Sequence, residues 1–149
     1  GIGFVISIHI LGMYAFSPLV GMATDRWGGR LVGPTGAVVL LAACVMAASS
    51  RPGMSAWLAI ALLLLGIGWS CTLVAGSALL TGALSPDERP AAQGVADLVM
   101  GLGAAGGGAV AGFVLQQASF AALAGGAAVL SVMMIGAGVV LRQRPTAAA

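Results

Sequence analysis

Five stretches of this chain are each long and apolar enough to cross a lipid bilayer. They lie near 2–22, 31–50, 55–81, 90–115 and 119–141, and a spanning helix needs about 20 such residues. The runs lack the alternation of barrel strands, so helix is the element that can satisfy their backbone in hydrocarbon. The chain is 60% hydrophobic and 7% charged, whereas soluble domains carry about 25% charged residues. The expected fold class is therefore an all-α membrane protein, with the lipid bilayer as its solvent. A net charge of +2 argues against a nucleic-acid partner. Cys44 and Cys71 both sit inside apolar runs and read as small buried hydrophobes rather than a disulfide or metal pair.

Between the first two runs lies GMATDRWGGR, Gly21–Arg30, the dense polar cluster of the first half. It reads as a short membrane-surface loop, with Gly28 and Gly29 turning the backbone. Five spans put this loop, the 82–90 loop and the C-terminal tail on one side. That side holds Arg26, Arg30, Arg89, Arg142 and Arg144, against Arg51 on the other. Arginine excess marks the cytoplasmic face, so the expected site is the cytoplasmic (inner) membrane, with these segments inside. The chain opens with Gly1 inside an apolar run, without a charged leader region. A signal peptide is not expected, and the chain reads as a piece of a longer protein.

Polar side chains inside the spans are few. The first run holds His9, Tyr14 and Ser17. His9 and Ser17, eight residues apart, share a helical face. Pro18 is expected to kink that helix or end its regular part. The third run has Trp57 as an interfacial anchor, then Trp69, Ser70, Thr72 and Ser77. Ser85 and Glu88 have capping-box spacing, which puts Pro86 at the first helical position of the next run. That run carries Gln93 and Asp97, then glycines at 94, 101 and 108, a face on which another helix would pack.

Asp97 is the sharpest functional candidate, because a carboxylate in a membrane helix costs a few kcal/mol on insertion scales. It would bind substrate or take up a proton; alternatively it reaches water or Arg89. His9 would relay protons or bind substrate, or else hydrogen-bond a backbone carbonyl in a packed interface. Tyr14 and Trp69 would wall a cavity, or simply pack. There is no phosphate loop, no zinc-ligand spacing and one histidine, so neither a catalytic centre nor a cofactor is expected. A serine–histidine hydrolase built on His9 with Ser70 or Ser77 has no surrounding motif.

The pattern Gly21-x-x-x-Asp25-Arg26-x-Gly28 resembles the loop signature of the major facilitator superfamily. Gly29 stands where the family often has Arg or Lys, with Arg30 one place later, which favours the weaker copy between the eighth and ninth helices. HILGMYAFSPLVG resembles the eighth helix, and GWSCTLVAGSALLTGALSPDERPAAQG the tenth helix and the loop after it. The resemblance implies that residues 1–149 are the C-terminal half, helices eight to twelve, of a twelve-helix bundle. It implies that the eighth, tenth and eleventh helices approach a central cavity while the ninth and twelfth are peripheral. His9, Tyr14, Ser17, Trp69, Ser70, Thr72, Gln93 and Asp97 all fall in the three cavity helices. Gly21, Asp25, Arg26, Gly28 and Arg30 would form a conformational latch against the absent N-terminal half, or else Asp25, Arg26 and Arg30 are simply a solvated turn that obeys the positive-inside rule. The function implied is secondary transport of a small solute by alternating access, coupled to protons, with efflux of a drug or metabolite as the preferred form. The alternative from another class is a small five-helix membrane scaffold or modulator.

Overall fold

The computed structural model describes residues 2–51, 53 and 55–143. Among these residues six helices follow in order: α1 Ile2–Tyr14, α2 Ser17–Trp27, α3 Gly29–Ala48, α4 Ser55–Gly82, α5 Arg89–Gln117 and α6 Phe120–Gln143. No strand occurs among the described residues. α1 and α2 together form one apolar span, Gly3–Trp27, and α3 to α6 form one each, giving five. The protein is an all-α membrane protein. Arg144 lies outside the described residues.

One local expectation is borne out and two need correction. First, the run 2–22 is interrupted, as Pro18 led one to expect. It breaks at Ala15–Phe16, and α2 restarts at Ser17 with Pro18 in its first turn. Pro18 has no N–H to offer the Tyr14 carbonyl, and its ring crowds that carbonyl, so the regular ladder ends before the proline. Second, Gly21–Arg30 is not a loop. α2 continues through Gly21, Asp25 and Arg26 to Trp27, and α3 begins at Gly29. Gly28 alone makes the connection, at φ 81° and ψ 147°. That region is open essentially to glycine only. Gly29 serves closeness rather than turning: a Cβ there would sit 2.8 Å from the Ala75 carbonyl oxygen. Third, Pro86 does not open a helix. Residues 86–88 form a turn, α5 starts at Arg89, and Pro90 takes the first-turn position.

The glycines at the helix crossings explain how α1, α3 and α4 pack. A Cβ on Gly12 would lie 2.5 Å from the Leu63 carbonyl oxygen, and one on Gly66 would strike the His9 carbonyl. On the other side of α4, a Cβ on Gly36 would meet the Cys71 side chain at 2.6 Å, and one on Gly68 would meet Leu40 at 2.8 Å. Small residues let membrane helices approach until their backbones touch. α1 and α4 run parallel, since His9 meets Leu62 and Ser17 meets Ser70. α3 runs antiparallel to α4, as Gly29 lies by Ala75 and Gly36 by Cys71. α6 runs antiparallel to α3, with Gly138 against Pro34 and Ala124 in one cluster with Ala47 and Ala61.

α5 departs from this pattern. None of its residues is buried, and nothing lies within 4 Å of a Cβ placed on Gly94, Gly101, Gly103, Gly107, Gly108 or Gly112. The glycine face expected to carry a helix has none against it among the described residues. The spacing marks a surface fit for close packing, but spacing cannot say which chain supplies the other side.

Candidate functional site

The polar residues of α4 and α5 meet in one place. A cavity of about 290 Å³ lies between them, bounded also by Met134 of α6. Trp69 and Ser77 line it from α4, and Gln93 and Asp97 from α5. The Ser77 hydroxyl donates to Gln93 Oε1 at 3.0 Å. Gln93 Nε2 donates to Asp97 Oδ1 at 3.0 Å. Gln93 and Asp97 share a face because they are one helical turn apart. The serine thus orients the amide, and the amide's donor end is aimed at the carboxylate. Among the described residues, Asp97 is the single ionisable side chain in the cavity lining. Arg89 does not reach it; its Nε donates instead to the Leu84 carbonyl at 3.3 Å.

Tyr14 and Trp69 meet edge to face, with ring centroids 6.2 Å apart. The pair ties the end of α1 to the cavity wall. Ser17 lies beside Ser70 of α4, oxygen to oxygen at 3.0 Å. His9 stands apart from the cavity: its Nδ1–H donates to the Leu62 carbonyl at 2.9 Å. This is the packed-interface arrangement that the sequence left open. Trp57 Nε1 donates to the Met46 carbonyl at 2.9 Å, tying the start of α4 to the end of α3.

Sequence reasoning named two contributors as polar residues of the third run without reading their contacts. Ser77 links α4 to α5, and Ser70 is completely buried against Ser17. Both were visible as polar residues in an apolar run, but serine is common at helix contacts, and only the facing residue reveals its role. Asp25, Arg26 and Arg30 are all exposed, at the ends of α2 and α3 on either side of Gly28.

This arrangement of five spans, with an intramembrane acid and a charged helix-end signature, can be set beside known proteins. The family model described as Major Facilitator Superfamily matches residues 1–149. The chain belongs to the major facilitator superfamily. Among superfamily relatives, it is 37% identical over 134 residues to the uncharacterized MFS-type transporter YddS of Bacillus subtilis (strain 168), covering 90% of this chain and 31% of that protein. It is 35% identical over 134 residues to YdeG of the same organism, with the same coverage. It is 32% identical over 92 residues to the riboflavin transporter RfnT of Brucella anthropi, covering 62% of this chain and 23% of that protein. The chain thus spans about a third or less of the length of these curated relatives. No solved structure matches it. As a superfamily member it is a multi-pass membrane protein of a transporter family, not of an enzyme family.

Proposed function

We propose that residues 1–149 are the C-terminal half of a twelve-helix secondary transporter that moves a small solute by alternating access, with Asp97 as its proton-binding group. The observation that carries this is the chain Ser77→Gln93→Asp97 inside the α4–α5 cavity. A carboxylate accepts the amide N–H; a protonated carboxyl must donate from one oxygen. Proton uptake at Oδ1 therefore opposes the present Gln93 hydrogen bond within α5 and frees the amide whose oxygen accepts from Ser77 of α4. Substrate and proton compete for the same groups, which is the requirement for exchange.

The remaining assignments follow from this reading. The ends of α2, α4 and α6 face the cytoplasm across the inner membrane, by the arginine excess there. Gly21, Asp25, Arg26, Gly28 and Arg30 latch one of two rocking states against the N-terminal half. Tyr14, Ser17 and Trp69 belong to the substrate side, and His9 to the packing of α1 on α4. Trp69 favours a planar, partly apolar solute, and one relative is named for riboflavin, a solute of that kind. Efflux is the preferred direction. The five-helix scaffold remains the second reading, favoured by the uncovered face of α5.

Everted membrane vesicles holding the intact protein test the assignment. Riboflavin and ethidium serve as probes, and a pH dye reads proton release when either is added. Release from the unsubstituted protein and none from Asp97→Asn, at equal expression, is the expected result. Unaltered release in Asp97→Asn removes Asp97 from the mechanism. No release in either, across both probes, favours the scaffold.

A further inference from the structure

The break in the first span is held from both sides by two successive residues of α4. Tyr14, the last residue of α1, stacks edge-on against Trp69. Ser17, the first residue of α2, bonds to Ser70. The direction of that bond follows from counting protons. A serine hydroxyl has one, and that of Ser17 goes to the Met13 carbonyl at 2.9 Å. Ser70 is therefore the donor to Ser17. Ser70 is completely buried, so its hydroxyl has no water to turn to, and the bond is worth more than a surface one.

α2 has few other ties. It rests on α3 and α4 through a small apolar patch of Val20 on Val32 and Ala75. Among the described residues, Ser17–Ser70 is the one side-chain hydrogen bond from α2 to α3, α4, α5 or α6. The helix is 11 residues long, a rod of about 16 Å. Its inner end is Ser17 and its outer end carries Asp25 and Arg26. A change of angle at Ala15–Phe16 moves Ser17 relative to Tyr14, and the Trp69 and Ser70 contacts cannot both survive it. Trp69 also lines the Asp97 cavity.

We propose that α2 is a lever, hinged at Ala15–Phe16 and pinned by the Ser70–Ser17 hydrogen bond, through which Asp25 and Arg26 act on the Trp69 wall of the cavity. Ser70 is then a positioning residue. The proposal rests on the reading of that cavity as the transport site, and it adds the route by which the membrane surface reaches it.

Pulsed electron-spin distances test it in the intact protein in lipid nanodiscs. Spin labels go on Ile10→Cys of α1 and Met22→Cys of α2, both exposed, with Cys44 and Cys71 replaced by Ala. The expected result is one narrow distance in the unsubstituted hinge. Ser70→Ala and Ser17→Ala should each raise the population of a second distance about five-fold, the weight of one buried hydrogen bond. Ser17→Thr, which keeps a hydroxyl, should restore the narrow distribution. Asp25→Asn should populate the same second distance. Superimposable distributions in Ser70→Ala and the unsubstituted protein overturn the pin. A response to Ser70→Ala with none to Asp25→Asn leaves a hinge without a lever and overturns the coupling. The readout is a distance, so it fails separately from the proton-release experiment. Lost proton coupling with an intact hinge response sinks the transport reading alone.

Discussion

α4 and α5 are nearly equal in length, both apolar and both rich in glycine, yet they are opposites in the folded chain. α4 is gripped on two sides, by α1 at Gly66 and by α3 at Gly68, so closely that no side chain fits at either glycine. α5 has glycines along much of its length and, among the described residues, touches nothing with them. Hydropathy reports that each helix belongs in lipid. It does not report which face meets lipid and which meets protein, because lipid tails and leucine side chains are equally apolar. The difference lies in partners, and for α5 the described chain supplies few beyond Ser77.

The sharpest way to break this comparison is to place the same side chain on both helices. In Gly66→Val the new atoms strike the α1 backbone at His9 and Met13, which cannot rotate aside. The expected loss is about 3 kcal/mol or more. Thermal unfolding in micelles reads it, with the buried Cys44 thiol reporting exposure to a maleimide dye. Gly103→Val meets open space. With these five spans alone it should shift stability by less than about 0.5 kcal/mol. In an intact transporter whose other helices cover α5 it should cost about 1–3 kcal/mol, as overpacking does. Equal, small effects in both settings would make the glycine stripe of α5 a lipid-facing one.

The connection between α2 and α3 comes next in size. Gly28 holds φ 81° and ψ 147°, so Gly28→Ala should cost about 1–3 kcal/mol in the same assay. A neutral result would mean that the helices can be joined another way, and that the signature glycine serves a partner instead.

What could be read before the structure follows the same line. The five spans and their alternating direction were legible, because the bilayer fixes helix length and leaves few alternatives. Asp97 and Gln93 were legible as the polar side chains of one apolar run, though not as a bonded pair. The joining of that pair to Ser77 was not, since it depends on how α4 and α5 turn toward each other. The stop at Ala15–Phe16 was half legible: Pro18 announced a disturbance, and the helix placed it two residues earlier. The surface signature misled about local structure. Charged and glycine residues suggested a ten-residue loop, but arginine and aspartate tolerate a helix end well, and one glycine sufficed for the turn.

The α4–α5 contact can be sharpened by removing its polar link. Ser77→Ala deletes the donor to Gln93, and an interhelical hydrogen bond in a membrane is worth about 0.6 kcal/mol. Amide exchange over 89–100 should quicken about two- to three-fold, while exchange over α3 stays unchanged. Equal exchange in Ser77→Ala and the parent would mean that the cavity is held by packing alone.

The smallest effect sits at the entrance to α5 and depends on pH. Ser85 donates to Glu88 Oε2 twice, from its hydroxyl at 2.7 Å and from its backbone N–H at 3.1 Å. The hydroxyl bond first, and the backbone bond second, hold the Glu88 carboxyl below the ordinary glutamate range. The folded value lies below the unfolded one. The contribution is therefore fully present above the ordinary range and is lost as pH falls through the lower, folded value. Glu88 is fully exposed, so solvent screens the effect and the global fold should not register it. Exchange of the Ser85 amide should: slow at neutral pH after correction for intrinsic rate, faster in acid, and fast throughout in Glu88→Gln. An amide equally slow in Glu88→Gln would show that the turn, not the charge, sets the start of α5, and that this helix is placed by its backbone at one end as by Gln93 against Ser77 further in.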